Sequence, residues 1–136
     1  MDFPGERPDW LTFDCYGTLI QWDEGLLAAV ETILSDRSAD GIDAGTLIRV
    51  YDEHEHALEQ VRPHRSFRSV AGEALHRAMQ DLDLSPATSD IEVLTSSISR
   101  MPPFPEAVSA LGDLKAMGFR LCIVSNTDDD IIAGNV

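Results

Sequence analysis

Apolar residues recur along this chain with two different spacings, which predict strands at two places and helices elsewhere. Residues 10–14 form a short run of strand-forming side chains, and residues 119–124 form a second run that is rich in branched residues. Such a branched apolar run is typical of a strand in a parallel sheet. Between and after these runs, apolar residues recur every three or four positions, as expected for helices. The pattern therefore predicts an α/β protein.

Four helices are predicted between the two strands, each with one apolar face. The residues that define these faces are Leu26, Leu27, Val30, Ile33 and Leu34, then Leu47, Tyr51, His54, Leu58 and Val61, then Val70, Ala71, Ala74, Leu75, Ala78, Met79 and Leu82, and finally Ile91, Leu94 and Ile98. This block is far longer than an ordinary connection between strands. It is therefore interpreted as an inserted helical domain over residues 21–100, with residues 1–20 and 101–136 forming the α/β part.

The second strand is flanked by two further predicted helices. One covers residues 106–117, with Val108 and Leu114 among its inward-facing residues, and Gly118 is suited to the position just after its end. The other begins within residues 127–130, where acidic side chains favour a first helical turn.

Composition narrows the classes of protein to consider. The chain has 136 residues, enough for one average domain, and a formal net charge of −14. This charge argues against nucleic acid and anionic membrane surfaces as partners. No membrane span or signal-peptide pattern is apparent in the sequence, so a cytoplasmic protein is expected. Cys15 and Cys122 lie within strand-like runs and are interpreted as buried, reduced thiols without a catalytic role.

The polar residues best placed for chemistry stand where the two predicted strands end. Asp14 ends the first strand and Ser125-Asn126 follows the second. In an open α/β sheet, ligands bind at the carboxyl ends of the strands, and a carboxylate there can act as a nucleophile. The alternatives are that Asp14 stabilises the next turn and that Ser125 caps the following helix.

Residues 14–19, Asp-Cys-Tyr-Gly-Thr-Leu, and residues 124–126, Val-Ser-Asn, resemble the first two motifs of the haloacid dehalogenase (HAD) superfamily. Within it they look most like the L-2-haloacid dehalogenase (type II) branch. The resemblance implies a Rossmann-like core interrupted by an α-helical cap. The family's third motif, a lysine, and its fourth, an acidic segment, would lie beyond the second strand. The chain is therefore interpreted as the N-terminal part of such a protein, with its core truncated after the second motif.

The resemblance also implies a covalent mechanism. Asp14 would attack the halogen-bearing carbon of a 2-haloacid and displace halide, which leaves an ester between enzyme and substrate. Water would then attack the carbonyl carbon of Asp14 and release a 2-hydroxy acid of inverted configuration. Thr18 would donate a hydrogen bond to Asp14 and orient it.

Five further residues receive substrate-binding roles from the same resemblance. Ser125 and the backbone N–H groups of Cys15 and Tyr16 would hold the substrate carboxylate. Asn126 and Arg49, an arginine of the helical cap, would receive the departing halide. The implied partners are thus a small 2-haloacid and halide. The oligomeric state stays open, with a homodimer as one alternative.

Two positions depart from what related sequences lead one to expect. Tyr16 stands where the phosphatases of the superfamily carry a second aspartate, which removes an oxygen ligand for Mg²⁺, so no metal and no cofactor are expected. Glu53 stands one helical turn beyond Arg49, where an apolar pocket residue is expected. A solvated helix arginine is an equally good interpretation of Arg49.

Three hypotheses of different classes remain from the sequence. The first is a hydrolase acting on carbon–halogen bonds, and the second is a phosphatase of the same superfamily. The third is a non-catalytic remnant, since the motif lysine is missing from the 136 residues. The chain by itself is expected to be inactive and poorly folded as a monomer, because open strand edges and uncovered apolar faces promote association.

Overall fold

The computed structural model describes residues 4–35, 37 and 41–136. Its elements in chain order are β1 (Trp10–Phe13), α1 (Trp22–Ser35), α2 (Ala44–Glu59), α3 (Phe67–Asp81), α4 (Thr88–Ile98), α5 (Pro105–Ala116), β2 (Arg120–Ile123) and α6 (Asp129–Ile132). Every strand and helix predicted from the sequence is present. Within the described ranges, no helix is long and apolar enough to cross a membrane.

The two strands form a parallel sheet. Trp10 pairs with Arg120 at one end and Phe13 pairs with Ile123 at the other. One more hydrogen bond extends the ladder beyond the last pair, from the N–H of Val124 to the carbonyl of Phe13 at 2.8 Å. The carboxyl ends of both strands therefore lie at the same edge of the sheet. The α/β fold class predicted from the sequence is confirmed.

Packing divides the chain into two compact units, which are described separately. The sheet unit comprises the described residues of Met1–Gln21 together with Pro102–Ser125. The helical unit comprises the described residues of Trp22–Met101 together with Asn126–Val136.

The helical unit is built on the apolar faces of α1 to α4. Its buried apolar side chains include Leu26, Ala29, Val30, Ile33, Leu47, Val50, Tyr51, Leu58, Val70, Ala71, Ala74, Leu75, Ala78, Met79, Leu94 and Ile98. Burying one large aliphatic side chain of this kind contributes about 1.5–3 kcal/mol. Leu27 and Val61 were also predicted for the apolar faces but are exposed. Leu27 lies at the margin of the apolar face of α1, and Val61 lies beyond the end of α2.

Residues 126–136 pack with the helical unit, whereas the sequence interpretation placed them with the α/β part. The carboxylate of Asp128 accepts hydrogen bonds from the backbone N–H groups of Phe67 (3.1 Å) and Arg68 (2.9 Å), the first two residues of α3. Ile131 of α6 is buried. A charged cap on α3 and an apolar contact together hold this segment to the helices.

The sheet unit is less densely packed than the sequence pattern suggested. Val108 was expected to face inward but is exposed, and α5 has no buried residue. The prediction of two buried thiols is correct for Cys15 and wrong for Cys122, which is exposed. Strand alternation places Cys122 on the opposite face from its neighbours Leu121 and Ile123, and the described residues leave that face open to solvent.

Candidate active site

The candidate site lies at the carboxyl edge of the sheet, in the sheet unit. Asp14 directly follows β1, and Ser125 follows β2 after one intervening residue. Because Phe13 and Ile123 are paired in register, the backbone delivers both residues to the same edge. This is the edge at which open α/β sheets bind ligands.

A tight turn after β1 fixes the direction of the chain beyond Asp14. The carbonyl of Cys15 accepts hydrogen bonds from the N–H groups of Thr18 (3.2 Å), Leu19 (2.7 Å) and Ile20 (3.1 Å). Gly17 lies within this turn at a φ of +81°, a conformation that L side chains adopt only at a cost. The sequence thus needs glycine at this position for the chain to turn back so soon after Asp14.

The turn brings Thr18 onto Asp14. Thr18 Oγ1 donates a hydrogen bond of 2.8 Å to Asp14 Oδ2, and both residues are exposed to solvent. A carboxylate held through one oxygen has its orientation fixed, while its solvent-facing position keeps it accessible. The arrangement is chemically suited to nucleophilic attack by a carboxylate.

Cys15 is anchored inside the sheet unit, with only 1% of its surface exposed. Burial raises the pKa of its thiol above the usual value, and the negative charge of Asp14 raises it further. The thiolate, which is the nucleophilic form of cysteine, is therefore disfavoured. The side chain packs in the interior, so any contact that Cys15 makes with a ligand comes from its backbone.

The residues predicted to bind substrate fall in both units. Cys15, Tyr16 and Ser125 belong to the sheet unit with Asp14, and Ser125 is half-buried at the end of β2. Asn126 is exposed and is grouped with the helical unit, as its neighbour Asp128 caps α3.

Arg49, the predicted cap arginine, lies on α2 of the helical unit. Its side chain is exposed, and its Nη1 donates to Glu53 Oε1 at 2.9 Å, one helical turn away. The structure therefore groups Arg49 with α2 and with an acidic partner. The sequence had marked Glu53 as unusual at this position but gave no indication of the pairing beyond the four-residue spacing.

A second pair on α2 escaped the sequence interpretation. Tyr51 is almost fully buried, and burial together with the charge of Glu55 raises the pKa of its hydroxyl far above the usual value. Burial is also the main cause that raises the pKa of the Glu55 carboxyl. The four-residue spacing places both side chains on one helical face, but their burial depends on packing that sequence alone does not show.

Comparison with known proteins gives a family match over almost the whole chain. Residues 8–135 match the family of haloacid dehalogenase-like hydrolases. Among curated proteins, the chain is 26% identical over 126 residues to (S)-2-haloacid dehalogenase 1 of Pseudomonas sp. (strain CBS-3), covering 90% of this chain and 52% of that protein. The chain thus spans about half the length of the curated relative it matches.

Solved structures share the fold. The L-2-haloacid dehalogenase of Xanthobacter autotrophicus superposes with a TM-score of 0.75 at 24% identity, covering 93% of this chain and 49% of that one. The structure of the same enzyme with chloropropionic acid covalently bound superposes with a TM-score of 0.73 at 21% identity, again covering 93% and 49%. At these identities the likeness concerns the fold.

Proposed function

Because the chain belongs to the family of haloacid dehalogenase-like hydrolases, we propose that it is the part of a 2-haloacid dehalogenase that carries the nucleophile. The observation that supports this most directly is the hydrogen bond from Thr18 to Asp14 at the carboxyl edge of the sheet. A curated relative with 26% identity is named an (S)-2-haloacid dehalogenase, which favours a carbon–halogen bond as the target.

Asp14 performs the first step of the proposed reaction. One carboxylate oxygen attacks C2 of the haloacid, a carbon–oxygen bond forms, and the carbon–halogen bond breaks with its electron pair leaving on the halide. The hydrogen bond from Thr18 holds the other oxygen, Oδ2, at 2.8 Å. A carboxylate already aimed at the substrate loses less freedom on reaching the transition state.

Water completes the cycle in the second step. Water adds to Cγ of the Asp14 ester and the acyl–oxygen bond breaks. One proton of the water goes to the departing oxygen of the 2-hydroxy acid, the other is released to solvent, and the carboxylate is restored. One oxygen of Asp14 then derives from solvent. The covalently bound chloropropionic acid in the Xanthobacter autotrophicus enzyme supports an intermediate of this type.

Substrate binding is assigned to groups around the sheet edge and to one cap side chain. The backbone N–H groups of Cys15 and Tyr16, with the hydroxyl of Ser125, would hold the substrate carboxylate. Asn126 and Arg49 would receive the halide. We further propose that the sheet unit is the core and the helical unit the cap of such an enzyme.

The test is halide release from 2-chloropropionate by the full reading frame that carries these residues, measured in the presence of EDTA. Release without added metal is expected, since Tyr16 offers no carboxylate for Mg²⁺ beside Asp14. Phosphatase activity that needs Mg²⁺ and is unaccompanied by halide release would refute the proposal in favour of a phosphatase. Absence of both halide release and phosphatase activity would favour a non-catalytic role.

A further inference from the structure

The pairing of Arg49 with Glu53 bears on how tightly anions bind. We propose that Glu53 is a positioning residue that holds Arg49 in a neutral pair and must be displaced before Arg49 can receive a halide or a carboxylate. This inference rests on the proposed function for the identity of the anion. It goes beyond that function, because it makes substrate and halide affinity depend on an acidic side chain that takes no part in bond making.

Arg49 is the only lysine or arginine on α2, in the sequence AGTLIRVYDEHEHALE. Four acidic residues follow it on the same helix, and Glu53 is the one that its guanidinium contacts, at 2.9 Å. An approaching anion therefore meets a cation whose charge is already balanced. Binding of the anion to Arg49 therefore requires that the Glu53 carboxylate moves away.

The exposure of Arg49 and Glu53 and their order on the helix make their ion pair weak enough to exchange partners. Both side chains are about two-thirds exposed, at 65% and 66%, so water screens their attraction. The arginine precedes the glutamate by four residues, which is the less favourable order for a helical ion pair. A contact of this kind is worth only about 0.2–1 kcal/mol, so an incoming anion can replace it.

Other ion-paired arginines of the helical unit are held more firmly. Arg37 binds Asp90, which is buried, and also two backbone carbonyls. Arg68 joins Asp130 and the hydroxyl of Thr95. By comparison, Arg49 is the most exposed of the arginines seen in ion pairs among the described residues. Its pair joins two residues of one helix, as does that of Arg77 with Glu73, but Glu73 is also held by Arg65. Among these arginines, Arg49 is therefore the one whose ion pair an anion can replace with the smallest loss of free energy.

The experiment measures anion affinity directly, without relying on turnover. Bromide is titrated into the purified protein while the Arg49 side-chain Nε–H signal is followed by NMR. Glu53→Gln, which removes the charge and keeps the shape, is expected to tighten bromide binding about two- to five-fold at low salt, the range that corresponds to an exposed ion pair. The gain should shrink as an inert salt is raised, because screening weakens the original pair.

Two variants control for charge and for the route of the effect. Glu31→Gln removes one exposed acid from α1 and should leave bromide affinity within the error of the wild type. In the Arg49→Gln background, Glu53→Gln should change nothing, because its partner is gone. Equal effects of Glu53→Gln and Glu31→Gln, or an undiminished effect without Arg49, would overturn the inference, as would a wild-type Arg49 signal that does not respond to bromide.

Kinetics provide a second measurement that separates this inference from the proposed function. With a 2-haloacid, Glu53→Gln should raise kcat/KM by a similar factor, because an unpaired Arg49 would better stabilise the charge that develops on the departing halide. A fall in kcat with unchanged KM would contradict the positioning role. Absence of halide release from the wild type would refute the proposed function, while the bromide titration would still decide the role of Glu53.

Discussion

The sheet unit and the helical unit differ in how they use their apolar residues. The helices bury theirs, and Leu47, Met79 and Leu94 are fully inaccessible. The sheet unit leaves some of its apolar side chains exposed: Trp10 on β1 is 54% exposed, and Val124, directly after β2, is 65% exposed. The nucleophile candidate nevertheless belongs to the sparsely packed unit. The position of Asp14 depends on a short turn that is held by its own hydrogen bonds, whereas most of the buried apolar side chains of the described residues lie on helices.

The largest expected effect tests the nucleophile candidate that precedes the turn. Asp14→Asn should reduce halide release by about 10⁴-fold or more, because an amide cannot serve as the nucleophile and loss of such a residue is rarely compensated. Halide is measured in single-turnover and steady-state assays. In H₂¹⁸O, mass spectrometry should find the heavy oxygen in wild-type Asp14 after one turnover.

Cys15→Ala is the matched control for the nucleophile, because it changes the neighbouring residue without touching the carboxylate. It should lose some stability, as the thiol is buried, but it should retain turnover. If the label appeared only in the product after the first turnover, water would be attacking the substrate directly and the ester mechanism would be wrong.

The next prediction tests the packing difference itself. Leu94→Ala removes a fully buried side chain of α4 and should lower the free energy of unfolding by about 2–5 kcal/mol. Val108→Ala on α5 removes a side chain that is 57% exposed and should change it by about 0.5 kcal/mol or less. Urea unfolding followed by circular dichroism measures both. Similar losses in the two variants would show that the sheet unit is as dependent on packing as the helical one.

The sequence predicted burial better in the helical unit than in the sheet unit. Periodicity identified the helical faces because residues such as Val30, Ala74 and Ile98 pack against partners within the same unit. It failed for Val108 and Cys122, whose apolar character predicts burial but whose faces no described element covers. An apolar pattern predicts which face of an element can be buried, but it does not show whether another element packs against that face.

The candidate site shows a similar contrast. The turn from Asp14 to Thr18 is local, so a hydrogen bond between them could be expected from motif and spacing, and it is present at 2.8 Å. Long-range contacts were not visible in the sequence. Asp128 looked like part of an exposed first helical turn, yet its carboxylate caps α3, which lies some sixty residues earlier in the chain.

A smaller effect is expected from that cap. Asp128→Ala leaves the N–H groups of Phe67 and Arg68 without their carboxylate acceptor and should cost about 0.5–2 kcal/mol, the usual range for a helix cap. Asp129→Ala, one residue further on and exposed, is the matched control. Thermal unfolding of the two variants distinguishes a specific cap from a general effect of charge. Equal destabilisation would mean that the carboxylate acts only through its field.

The smallest effect concerns pH and the partly buried carboxyl of Glu55. Burial is the main cause that raises its pKa above the ordinary value of 4.5, with the charges of Glu59 and Asp52 adding to the shift. A raised pKa in the folded state means that the folded protein holds this proton more tightly than the unfolded chain does. The stabilisation that the protonated Glu55 carboxyl contributes is therefore fully present below the ordinary glutamate pKa. It is lost as pH rises through the pKa that Glu55 has in the folded protein.

Glu55→Gln should remove this contribution, because the amide stays neutral over the whole range. Its stability should exceed that of the wild type by more at neutral pH than in mild acid, and the difference is read from urea midpoints measured at several pH values. The effect is expected to be small because Glu55 is only half-buried and keeps part of its hydration. Glu92→Gln on α4, an exposed position, controls for loss of one negative charge. A stability difference that does not vary with pH, or one that Glu92→Gln reproduces, would show that the charge of Glu55 is not penalised by burial in the helical unit.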